Sequence, residues 1–144
     1  MHKSKFAAFW LVGVLLLGSA GCGGKGDGKY AAVKDLMTAQ VKVFEKTTSA
    51  LNKADNAEEV AAALDLWSEG ISALLPKLRD EAKVLAELKG METPLELQAV
   101  NTQLERVKEE MIEAAAKIKL YADDSKVQAA QQKLAAVLEE IDKI

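Results

Sequence analysis

Histidine occurs once in this 144-residue chain, at position 2, and cysteine once, at position 22. Past position 2 there is no imidazole to serve as general base, haem ligand or zinc ligand. The Glu-x-x-His pairs that hold two iron ions between helices are also missing. A lone cysteine closes no internal disulfide. Prolines are limited to Pro76 and Pro94, and only Gly70 and Gly90 of nine glycines follow position 28. Aromatic residues make up 5% of the chain, too few for a stacking platform. Trp67, Tyr30 and Tyr121 fit core and bundle-end packing better than ligand stacking, and Met37 and Met111 fit as core fillers. The one long apolar run, residues 6–17, falls short of the roughly 18–20 residues that span a bilayer.

That run has a context. Lys3 and Lys5 precede it, Gly18-Ser19-Ala20-Gly21 follows it, and no charge interrupts residues 6–21. A basic start, an apolar middle and a zone of small residues make an export signal. With Cys22 directly after that zone, the segment resembles a bacterial lipobox, although Ser19 stands where that pattern usually has leucine. The resemblance implies cleavage between Gly21 and Cys22, diacylation of the Cys22 thiol, and a mature protein held on a membrane by that residue. Gly23, and not aspartate, follows the cysteine, which implies sorting to the outer membrane, facing the periplasm. The expected organisation is a leader over residues 1–21, a lipidated cysteine and glycine-rich tether over 22–29, and a folded domain over 30–144. Flexible-chain scaling gives the six tether residues 23–28 a mean reach of about 12–15 Å, so the domain is expected close to the membrane.

Loss of Lys3 and Lys5 with the leader lowers Lys+Arg from 19 to 17 against 22 Asp+Glu, a net charge of −5. Such a balance argues against nucleic acid as a partner. The charge is uneven. Residues 25–53 carry Lys25, Lys29, Lys34, Lys42, Lys46 and Lys53 against Asp27, Asp35 and Glu45. This basic part adjoins the anchor, where anionic head groups would attract it. The alternative is a solvated helix face whose lysines pair with acidic neighbours.

From Tyr30 onward good helix formers dominate, and apolar residues recur three and four apart in four stretches. The first carries Tyr30, Val33, Met37, Val41, Phe44, Thr48 and Leu51. The second runs from Val60 through Trp67, Ile71 and Leu78 to Leu88. The third runs from Leu97 through Leu104 and Met111 to Tyr121, and the fourth from Val127 through Leu134 to Ile144. The fold class is therefore all-α: an antiparallel up-down bundle of four helices of unequal length, joined by short loops. Asp55 with Glu58, Thr93 with Glu96, and Ser125 with Gln128 offer capping boxes, and Gly90 suits a left-handed helix end. Pro76, inside the second stripe, removes a backbone hydrogen bond and predicts a kink or break near Leu75. The second helix, at about 50 Å, would outrun the fourth, at about 28 Å. One end should then expose an apolar flank, and Leu78, Leu85, Leu88, Leu95 and Val100 are the candidate partner face.

Catalytic chemistry finds no support. Glu58/Glu59, Asp80/Glu81, Glu109/Glu110, Asp123/Asp124 and Glu139/Glu140 are adjacent carboxylates, and neighbours on a helix point about 100° apart instead of converging. No base is placed to activate a serine. No EF-hand spacing is present, and no cofactor or metal is expected.

Lys53-Ala54-Asp55-Asn56-Ala57 resembles the joint between the first two helices of the small periplasmic four-helix b-type cytochromes, and residues 122–130 are similar to their last turn and helix start. The resemblance implies the bundle and an exported location. It does not imply haem. Val41 occupies the position of that family's methionine ligand, with Met37 one turn away, and Leu138, Glu139, Glu140 and Ile141 stand where its histidine would be sought. The expectation is a non-enzymatic, membrane-anchored module that binds an envelope protein or a second copy of itself. The alternative is a carrier of an apolar small molecule, using space between helices near Trp67.

Overall fold

A computed structural model describes residues 29–144. Five helices follow one another: α1 (Ala31–Lys53), α2 (Ala57–Leu88), α3 (Leu95–Ala114), α4 (Ala116–Leu120) and α5 (Ser125–Asp142). No strand occurs among the described residues. Helix α4 is a one-turn continuation of α3. Between them Ala115 stays helical at φ −61° and ψ −17°, and Ile118 N–H donates to its carbonyl at 3.1 Å, a tightened turn of the 3₁₀ kind. Taken together as one, α3 and α4 complete the all-α bundle of four packed helices that the stripes predict.

Side-chain pairs set the directions. Arg106 meets Glu45 at 3.6 Å and Thr48 reaches Met111 Sδ at 3.5 Å, so α3 runs parallel to α1. Lys126 meets Glu58, Lys133 meets Asp65 and Arg79 meets Glu140, so α5 runs parallel to α2. Lys29 at the start of α1 pairs with Glu87 at the end of α2, at 3.2 Å, so those two helices are antiparallel. Chain direction thus alternates along the sequence. In space, close backbone packing runs α3–α1–α2–α5. The connection over residues 89–94 therefore carries the chain from α2 to the far side of α1.

The stripes form the core. Val33, Leu51, Val60, Leu64, Ile71, Leu97, Leu104, Val107 and Val127 are each fully buried. Ile144, placed in the fourth stripe by its spacing, lies past the end of α5 and is 43% exposed. Polar residues also enter the core where the helix satisfies them. Thr47 donates to the carbonyl of Val43 and Ser68 to that of Leu64, one turn back in each case. Lys108 is buried along its stem and pairs with Glu105 at 3.0 Å.

The helix ends refine the capping expectations by one residue. Asn56, and not Asp55, caps α2 by accepting from Glu59 N–H at 2.9 Å. Glu59, and not Glu58, reaches back to accept from Asp55 N–H at 2.7 Å. Asp124, and not Ser125, caps α5 by accepting from Lys126 and Val127. At α3 the cap position is Pro94, which has no side-chain acceptor. Gly90 has φ +81°, the left-handed turn expected just past α2. Of the kink or break expected at Pro76, the break is absent: α2 passes through Pro76 as one helix of 32 residues.

Helix α5 ends beside Arg79, and beyond that level α1, α2 and α3 alone enclose the core. That arrangement removes the expected apolar flank. Leu78 (5% exposed), Leu88 (1%) and Val100 (5%) belong to the core. Leu85 is partly buried against the same cluster. Of the five, Leu95 alone is well exposed, at 63%.

Candidate interaction groove

Helices α1 and α2 approach closely at Gly70, where an added Cβ would lie 2.8 Å from both methyls of Val43. On the outer side of this contact, alanines take the positions that larger residues would fill. Ala50 from α1 and Ala54 just past its end, with Ala62 and Ala63 from α2, leave a trough of about 490 Å³ between the helices. Leu66 stands in it, 46% exposed. Isolated apolar side chains on a surface are ordinary, whereas a leucine in an alanine-lined depression offers shape as well as apolar area.

The two rims carry opposite charge. Lys53 borders the trough from α1, and Glu59 and Glu69 border it from α2. An adjoining hollow on the α1 side adds Lys46 and Ser49. Among the described residues Lys46 and Lys53 make no ion pair, and neither do Lys34 and Lys42 on the same exposed side of α1. The expectation that these lysines pair with acidic neighbours is therefore not met for these four. On the other flank of α2, by contrast, Lys126–Glu58 and Lys133–Asp65 bridge a further hollow lined by Ala61, Ala129 and Ala130. Charges there are already matched within the chain. The α1 rim is left with cations to offer.

Titration is perturbed away from the groove. A hydrogen bond from Lys29 to Glu87, reinforced by the opposite charge, raises the lysine above its ordinary value. The hydrogen bond between Lys143 and Glu140 raises the lysine and lowers the carboxyl.

The other candidates from the sequence fall as follows. Cys22, Gly21 and the whole leader lie outside the described residues. Trp67 is buried with its ring edge against Phe44, centroids 6.2 Å apart. Met37, Val41, Leu138 and Ile141 are core residues, so the positions compared with cytochrome ligands are occupied by packing. Among the described residues no three carboxylate, histidine or cysteine side chains come together as a metal site. None of the helices described is long and apolar enough to cross a membrane. The groove itself carries no apolar stripe in the sequence; its signal is a set of alanines where two neighbouring helices meet, Ala62 exposed, Ala50 half-buried, and Ala54 and Ala63 buried. Comparisons with protein-family models, with curated proteins and with solved structures find no match to this chain.

Proposed function

We propose that the protein is a non-enzymatic lipoprotein, anchored through Cys22 to the outer membrane on its periplasmic side, whose helical bundle binds an envelope protein through the α1–α2 groove. The observation that supports this reading is the groove's make-up. Small residues allow a partner helix to come close, Leu66 gives it an apolar anchor, and opposed rims of lysine and glutamate fix its direction. An amphipathic helix with acidic residues along one edge and basic residues along the other matches that pattern.

The test is a photo-crosslinking side chain in place of Leu66 or Ala62, in cells making the full chain, with Ile112 on the outer face of α3 as the control position. The expected result is one envelope protein, identified by mass spectrometry, captured from the groove positions and not from position 112. Lys46→Glu combined with Lys53→Glu should abolish the capture. Equal labelling from all three positions would sink the reading, and capture of a second copy would assign the groove to self-association.

A further inference from the structure

The structure places the start of α1 beside the connection between α2 and α3. Lys29 pairs with Glu87 at 3.2 Å, and Gly90 follows three residues later. Seven peptide units separate Cys22 from Lys29, so their Cα atoms stand at most about 25 Å apart whatever path the chain takes. The opposite end of the bundle lies a further 35 Å or so away, the length of a 23-residue helix. A bilayer holding the acylated Cys22 therefore meets the 89–95 end of the bundle first.

That end exposes two large apolar side chains within five residues. Met91 is 49% exposed and Leu95 63%, while Thr93 and Pro94 between them are buried and fix the connection to the bundle. Gly90, at φ +81°, turns the chain there. Charge at this end is nearly balanced: Lys29 offsets Glu87, Lys89 and Lys34, both exposed, stand with Glu92 and Asp35, and Glu96 beside Leu95 is half-buried. We propose that this connection is a membrane-seating tip, with Met91 and Leu95 entering the boundary between head groups and acyl chains. The proposal rests on the anchor reading above. Two side chains give weak adhesion alone, but a tether this short keeps them continuously at the surface, so each contact acts at high effective concentration. The tip then sets the bundle upright and holds the groove, near the far end, away from the lipid.

The test uses the full chain, acylated in cells and reconstituted in phosphatidylethanolamine–phosphatidylglycerol vesicles. Acylation consumes the Cys22 thiol, so Met91→Cys, Leu95→Cys or Leu120→Cys each supplies one thiol for an environment-sensitive fluorophore. Leu120 is 77% exposed at the far end. The expected result is a blue-shifted emission, quenched by nitroxide-labelled acyl chains, at positions 91 and 95 and not at 120. Positions 91 and 95 as open to an aqueous quencher as 120, on vesicles whose protein is acylated by mass, would overturn the tip. Crosslinks from position 95 to protein in place of lipid quenching would overturn it too, assigning the connection to a protein partner. An unmodified Cys22 in the mass spectrum would remove the anchor and the tip with it, a failure separately readable from the other two.

Discussion

The last carbonyls of α1 have no partner within the helix, and Lys117 supplies one from another element. Its ammonium donates to Asn52 at 2.7 Å and to Ala54 at 2.8 Å, while Tyr121 donates to Asp55 at 3.1 Å. Lys117→Met keeps the stem and removes the donor. It should cost about 1.5–3 kcal/mol in urea unfolding, the range of hydrogen bonds to charged groups. A midpoint unchanged from the parent would show the contact to be idle. The Glu140–Lys143 pair makes a prediction in pH. A carboxyl held below its ordinary 4.5 contributes stability above that value and loses it as pH falls through the lowered one. A lysine held above 10.5 contributes below that value and loses it as pH rises through the raised one. In Lys143→Ala the Glu140 midpoint, followed by carboxyl-carbon NMR, should therefore move upward, with Arg79 still holding part of the shift. At this scale the sequence shows the kind of device but not its register. Asp55 and Asn56 are both good caps, and only the path of the chain into α2 decides that Asn56 accepts. Lys117 gives no sequence signal, since its partners lie more than 60 residues away.

Along the elements, the three- and four-residue spacing identifies the core faces because burying an apolar stripe is what holds each helix in place. Spacing says nothing about which stripe covers which, and the misplaced partner face follows from that. Leu78 and Leu88 read as surplus when α2 is compared with α5, yet both are buried in the core beyond the level where α5 ends. The groove was hidden for the converse reason, because alanine reads as a helix former and not as a lining. Two substitutions test the element contacts. Gly70→Ala should gain up to about 1 kcal/mol of helix propensity and lose about 1–3 kcal/mol to overpacking against Val43, a net destabilisation. Combined with Val43→Ala, which makes room for the new methyl, it should cost about 1 kcal/mol less than the two separate effects summed, in a double-mutant cycle by urea unfolding. Strict additivity would show that Gly70 is not a contact point. Pro76 is exposed and interrupts no neighbour, so Pro76→Ala restores a helical hydrogen bond and should raise stability by about 1–3 kcal/mol. A loss of stability would mean that α2 needs its local geometry at Pro76 in order to pack.

At the scale of the molecule, the order α3–α1–α2–α5 gives the central pair two close helical neighbours each and the outer pair one each. Stability should follow that order, because an amide opens more easily where less packing is lost on opening. Native-state hydrogen exchange should therefore find the slowest amides around Phe44 and Leu51 in α1 and Leu64 and Ile71 in α2. Those of α5 should open at lower free energy, and earliest past Leu138, where the helix ends beside Arg79. The connection over 89–95 should exchange fast in solution, since Gly90, Met91 and Leu95 are exposed. The same arrangement would separate the two proposed tasks along the long axis. The three-helix end lies beside Lys29, and the groove lies toward the opposite end, between the two helices that each have two close helical neighbours. A binding face on α1 and α2 is backed by the whole core, so a partner can engage Leu66 without the bundle having to open. If α5 instead exchanged as slowly as α1, the four helices would form one cooperative unit, and the graded order of stability drawn from the packing would fall.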